Sequence, residues 1–200
     1  LERLYRSHKL AGTMPAFETE HLCRWVATLR ERLVDDFSWA QCRRPVGTPV
    51  RPSLAVSMDP GGKRASVALA WRDGDGVGLQ LLEDVNADTV DTDAIGKRVA
   101  ELVKKHNART VGFDPLTDGE LVKYVKKPKP EPVAGQKYAN ASAQFANIVR
   151  AERLSYADAE AVTDDLTWTS RKPDGDFGSF HAVRASDDRP ITAALAAIRA

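Results

Sequence analysis

The stretch SLAVSMDPGGKRASVALAW, residues 53–71, constrains the fold more than any other. One apolar run ends in Asp59, a Gly-Gly pair follows, and a second apolar run begins. Short apolar runs bounded by turn residues read as buried strands. A third run, VGLQLLEDV, follows RDGDGVG, whose Asp-Gly pairs signal a hairpin. The chain therefore opens its main body with three strands in meander order.

Beyond the meander, strands and helices alternate. DTDAIGKRVAELVKKH carries Ile95, Val99, Leu102 and Val103 at helical spacing, and ARTVGFD is a fourth strand ending in Asp114. GELVKYVKK starts another helix, and EPVAG is a short fifth strand. NASAQFANIVRAE and ADAEAVTDDLTW read as helices, and WTSRKPDGDFGSFHAVRA as a β-hairpin around PDGD. DDRPITAALAAIRA is the last helix, with Pro190 in its first turn. This order predicts an α/β fold: a mixed β-sheet flanked by helices on both faces.

Residues 1–50 differ from the rest. LERLYRSHKLAG is basic and helical, and Leu22, Trp25, Val26, Leu29 and Leu33 form a helical stripe. RRPVGTPVRPS then reads as a linker. The predicted division is an N-terminal helical linker segment, 1–50, and a main domain, 51–200. The first residue is Leu1, which suits a fragment of something longer.

Composition excludes several classes. The net charge of +1 leaves no global nucleic-acid signature, so any such surface is a local patch. Cys23 and Cys42 match neither a disulfide framework nor a zinc spacing, and read as free thiols of a reducing compartment. No run approaches the length of a membrane span.

The chemistry rests on acids. Asp59 ends strand one and Asp114 ends strand four. If these strands lie parallel and adjacent, their carboxylates sit side by side and repel, which a cation relieves. Hard ions such as Mg²⁺ or Mn²⁺ take carboxylate oxygens, and a pair of them suits phosphodiester cleavage. ASDDRP offers Asp187 and Asp188 as a further acid at the start of the last helix. Singly, each has a plainer role as a turn or capping residue; together, two strand ends and a distant helix start point to a metal site.

A second reading starts from the same stretch. DPGGKRASVALAW is similar to the first phosphate motif of sugar kinases and actin-like proteins, but no second phosphate motif or adenosine motif follows. GGKR lacks the spacing and the Ser/Thr of a P-loop.

Across most of the chain the residues resemble the C-terminal nuclease domain of phage large terminase subunits. GTMPAFETEHLCRW is similar to the segment joining motor and nuclease, LAVSMDPGGKRASVALAW to the first strand, catalytic Asp and second strand, and TVGFDPLTDGELVKYV to the second acidic strand. GQKYANASAQFANIVRAERLSY resembles the glutamine-led helix, and RPITAALAAIRA the last helix. The resemblance implies an RNase H-like fold and a two-metal endonuclease using Mg²⁺ or Mn²⁺ on concatemeric double-stranded DNA, leaving 5′-phosphate and 3′-hydroxyl ends. It implies an ATPase domain N-terminal to Leu1, a small terminase subunit and a portal protein as partners. It also implies work in the host cytoplasm, outside the mature virion. Asp59, Asp114 and Asp188 would hold the ions, with Asp187 as alternate. The family places an aspartate just after PI in the last helix, where this chain has Thr192. Asp188, four residues earlier, would take its place on the same helix face.

In that setting the basic residues read as backbone contacts to DNA with little sequence preference. They are Lys63 and Arg64 after the catalytic turn, the run Lys126, Lys127, Lys129 and Lys137, and Arg171, Lys172 and Arg184 of the hairpin. His106 and His181 lack a nucleophile partner and read as structural. Two rivals remain: an actin-like nucleotide-binding domain, and a non-catalytic docking module on an RNase H-like scaffold, which Thr192 keeps open.

Overall fold

The apolar runs and Asp-Gly turns form the meander that the sequence predicts. The computed structural model describes residues 2–11, 17, 31–174, 179–186 and 189–200. Its strands are β1 (Ser53–Met58), β2 (Arg64–Asp73), β3 (Gly76–Asn86), β4 (Thr110–Phe113), β5 (Glu131–Pro132), β6 (Leu154–Tyr156), β7 (Thr169–Asp174) and β8 (Ser179–Arg184). Its helices are α1 (Glu2–Ala11), α2 (Asp36–Gln41), α3 (Thr92–His106), α4 (Gly119–Val122), α5 (Gln136–Arg150), α6 (Glu160–Thr167) and α7 (Thr192–Arg199).

The main sheet has the order β5-β4-β1-β2-β3-β6. β1, β2 and β3 pair antiparallel, and β1–β4, β3–β6 and β4–β5 pair parallel. Gly74, at φ +58°, supplies the left-handed backbone that turns β2 into β3. Strand alternation then divides the core. Leu54, Val56, Val67 and Leu69 face Ile95, Val99 and Leu102 of α3 and Leu121 of α4. Ala68 and Leu79 face the other way, onto Phe145 and Val149 of α5, Val162 of α6 and the alanines of α7.

Local chemistry sets the helix ends. Asp91 caps α3 by accepting the Asp93 and Ala94 N–H groups, and Asn107, at φ 49°, closes it after Lys104, Lys105 and His106. The alanine-rich α7 lies hard against β4, where a Cβ on Gly112 would come within 2.8 Å of the Arg199 carbonyl.

Several expectations need revision. α4 is one turn, shorter than GELVKYVKK suggests. LSY forms β6 at the far sheet edge, where no strand is expected. α7 begins at Thr192, and Pro190 and Ile191 lie outside it. Leu33, Val34, Trp39 and Cys42 are buried in the same core as α5 and α6, and Trp39 stacks on Tyr156 at 4.2 Å. Cys23 and most of the helical stripe that ends at Leu33 lie outside the described residues, as does the hairpin tip, 175–178. Among the described residues, no helix is long and apolar enough to cross a membrane.

Candidate active site

β1 and β4 run parallel, with Ala55 beside Gly112. Counting on by twos, Ser57, Asp59 and Asp114 share the sheet face that Ala55 and Gly112 present to α7. The parallel pairing of β1 and β4 therefore brings the two strand-end aspartates to one end and one face of the sheet.

Each is held by its own loop. Asp59 Oδ2 accepts the Gly61 N–H at 2.9 Å, and its backbone N–H bonds the Arg64 carbonyl at 2.8 Å. Asp114 Oδ1 accepts the Leu116 N–H at 3.0 Å. Asp118 lies beneath them, fully buried. It accepts the Met58 N–H on Oδ1 and the Asp114 N–H on Oδ2, and so ties the diverging ends of β1 and β4 together. Burial pushes its pKa up, against Arg199 and the N–H and O–H donors that favour the carboxylate.

Cations compensate these acids. Arg199 donates Nη2 to Asp114 Oδ2 at 2.8 Å and Nη1 to Asp118 Oδ2 at 3.1 Å. Arg184 of β8 stands 3.8 Å from Asp59 Oδ1. A cleft of about 280 Å³ opens here, lined by Asp59, Tyr138, His181, Arg184, Thr192 and Arg199. The hairpin forms its wall. Ala182 donates its N–H to Ser142 Oγ and accepts the Tyr138 hydroxyl, which fastens β8 to α5. Burial pushes the Tyr138 phenol up to about 12, so it stays a donor.

Arg64 turns inward. Its Nε and Nη2 fork onto Asp84, and Nη1 donates to Asp165 Oδ1 at 2.6 Å and to the Pro190 carbonyl at 3.2 Å. Asp165 Oδ2 in turn caps α7 by accepting the Ala193 and Ala194 N–H groups. Beside them, Thr192 is buried, its Oγ1 2.7 Å from Ser66 Oγ. This network fixes how the chain enters α7.

The other basic residues scatter. Lys63 is exposed in the turn after Asp59, and Lys126, Lys127 and Lys129 are exposed between α4 and β5. Lys137 pairs with Glu131 at 2.7 Å. Arg171 holds Glu31 and the Leu33 carbonyl and covers the Phe180 ring, while Lys172 is exposed. Of these residues, Arg184 alone lines the cleft with Asp59. Asp187 and Asp188 lie outside the described residues. Residues 189–191, which follow them, are not helical.

Sequence reasoning missed Arg199, Asp84 and Asp165. Arg199 carried a signal, a lone charge on a helix otherwise apolar all round. Among the described residues, no three His, Cys, Asp or Glu side chains gather as a metal group. Asp59 and Asp114 carry carboxylate oxygens of the kind a hard divalent ion takes, and each has an arginine within 4 Å.

No protein-family model and no curated protein matches the sequence. Solved structures do. The large terminase of bacteriophage HK97 superposes with a TM-score of 0.69 at 14% identity, covering 99% of this chain and 49% of that one. This chain thus spans about half the length of that terminase. The large terminase nuclease of thermophilic phage G20c has a TM-score of 0.54 at 11% identity, over 81% of this chain and 94% of that one. The same nuclease with bound cobalt gives 0.51 at 16%, over 80% and 93%. At such identities the likeness is one of fold, and the fold of this chain is the RNase H-like fold of phage large-terminase nucleases.

Proposed function

We propose that this chain is the nuclease domain of a phage DNA-packaging terminase, a metal-dependent endonuclease that cuts concatemeric double-stranded DNA. The observation that carries the reading is the meeting of Asp59 and Asp114 at one end and face of an RNase H-like sheet, above the carboxylate of Asp118. Asp59 and Asp114 would hold Mg²⁺ or Mn²⁺, two ions at full loading, with Asp188 or Asp187 as the further acid. Such ions supply positive charge at the scissile phosphate and ease the ionisation of water.

The chain's own residues do the rest. The Gly61 N–H fixes the rotamer of Asp59, and Asp118 fixes the spacing of the strand ends. Arg184, on the hairpin wall, can take a backbone phosphate that enters the cleft. Lys63, Lys126, Lys127, Lys129, Lys137 and Lys172 would extend backbone contacts outside it, whereas Arg64 and Arg171 would act by holding the fold. Binding should weaken with salt and show little sequence preference. An ATPase domain, a small terminase subunit and a portal protein are the proposed partners, in the host cytoplasm.

The test is conversion of supercoiled plasmid by the purified chain with Mn²⁺, Mg²⁺ or EDTA, beside Asp59→Ala and Asp114→Ala. Metal-dependent nicking that vanishes in both variants supports the reading. Cleavage that survives both sinks it. A chain that binds DNA or a packaging protein, yet takes up no ion and cuts nothing, is the docking module instead.

A further inference from the structure

Arg199 is a charge that the fold buries in an apolar helix. It is 9% exposed, and its partners come from separate elements. Besides Asp114 and Asp118, Nη1 reaches Ser57 Oγ of β1 at 3.2 Å, and the guanidinium lies 5.0 Å from the centroid of the Tyr138 ring of α5. A planar fork suits two carboxylates better than an ammonium would, and a guanidinium keeps its charge at any ordinary pH.

The two candidate ligand residues therefore differ. Asp114 has one oxygen on a backbone N–H and the other on a buried cation at 2.8 Å. Asp59 also has one oxygen on a backbone N–H, but its other faces Arg184 at 3.8 Å, beyond hydrogen-bond range. The Arg184 side chain is 37% exposed and that of Arg199 is 4% exposed, so solvent screens the first pair far more than the second. An ion approaching Asp59 displaces a longer, more exposed pair. An ion approaching Asp114 Oδ2 must displace a desolvated one and endure its charge.

We propose that Arg199 is a positioning residue that competes with a divalent ion for Asp114. The site would then take up ions in two unequal steps, and the second would require Arg199 to leave Asp114 Oδ2. The proposal rests on the metal-dependent reading above and deepens it. With Arg199 in place, the site holds its own second cation and is one ion short of the full set, which holds cutting back until the second ion binds.

The experiment is Mn²⁺ titration of the intact chain and of Arg199→Gln, by calorimetry and by electron paramagnetic resonance of unbound Mn²⁺. A parallel Mg²⁺ titration follows the arginine Nε–H resonances by NMR. The wild-type chain should show two steps whose Kd values differ by at least about tenfold. The Arg199 resonance should move with the second step only. In Arg199→Gln the second step should tighten by about tenfold, and in Asp114→Asn it should disappear while the first remains. Should Arg199→Gln fail to fold by circular dichroism, the wild-type stoichiometry and the Arg199 resonance still decide. Two equivalent ions, a single ion at saturation, or an Arg199 resonance unmoved through both steps would overturn the proposal and leave metal dependence standing. No uptake of Mn²⁺ at all would overturn the metal-dependent reading, and this proposal with it.

Discussion

The Asp118 carboxylate accepts the Met58 backbone N–H at 2.8 Å, one residue before Asp59. Its other oxygen accepts the Asp114 N–H, so one buried side chain sets the distance between the two strand-end acids where sheet pairing has stopped. Removing it leaves two backbone donors unpaired and takes from the buried Arg199 guanidinium one of its two carboxylates, Asp114 being the other. Asp118→Ala should therefore lose about 3–5 kcal/mol, the cost of breaking a buried charge pair. Urea unfolding followed by tryptophan fluorescence measures this. A loss under about 1 kcal/mol, the worth of one ordinary hydrogen bond, would mean that the strand ends hold their spacing without Asp118.

Gly61 bears on chemistry with little bearing on the fold. A Cβ there would sit 2.7 Å from Asp59 Oδ2, so the carboxylate must swing away. Gly61 is exposed and has no positive φ, and its alanine variant should keep stability within about 0.5 kcal/mol. On the metal-dependent reading, plasmid nicking by Gly61→Ala should fall by about tenfold or more, because small misplacements at a reacting centre are expensive. Gly62, at φ +66°, should behave oppositely: Gly62→Ala should cost about 1 kcal/mol through backbone strain. Initial nicking rates and thermal melts of both variants separate the two effects. Equal nicking by Gly61→Ala and the parent would show that the Asp59 rotamer is not limiting.

Ser66 and Thr192 form an unequal pair. The Ser66 hydroxyl donates to Asp84 Oδ1 at 2.7 Å, which uses its only proton, so Thr192 is the donor in the contact between them. Thr192→Val leaves Ser66 bonded to Asp84 and should cost about 1 kcal/mol. Ser66→Ala strands a buried hydroxyl and one bond of Asp84, and should cost about 2–3 kcal/mol. Paired urea melts test the order, and a larger loss in Thr192→Val would reverse the donor assignment.

What the sequence revealed was local. The meander was legible because apolar runs and Asp-Gly turns lie within one stretch, and the meeting of Asp59 and Asp114 followed from alternation of strands and helices. β6 was not, because it is three residues long and is defined by its partner β3. The start of α7 was misplaced for a similar reason. Its capping carboxylate, Asp165, lies 28 residues before Ala193 and leaves no signature beside the helix. Arg64 read as a surface cation because Asp84 and Asp165 are 20 and 101 residues away. Charge along a chain shows which residues want partners, and only the fold shows whether the partner is solvent, nucleic acid or a buried acid.

Asp165 gives the network a dependence on pH. Burial raises its pKa from 3.8 to about 6, against the Arg64 charge and the Ala193 and Ala194 N–H groups, which favour the carboxylate. Between these two values the folded chain binds the proton more strongly than the unfolded one. The contribution of this group to stability is therefore full below pH 3.8 and declines as pH rises through about 6, by about 3 kcal/mol in all. Asp165→Asn removes the titration and keeps an oxygen for Arg64. Urea unfolding of both proteins across a pH series should show the stability difference, wild type minus variant, falling over that window and level above it. A difference that stays flat would mean that Arg64 and the α7 N–H groups fully offset burial, and that the carboxylate remains ionised throughout.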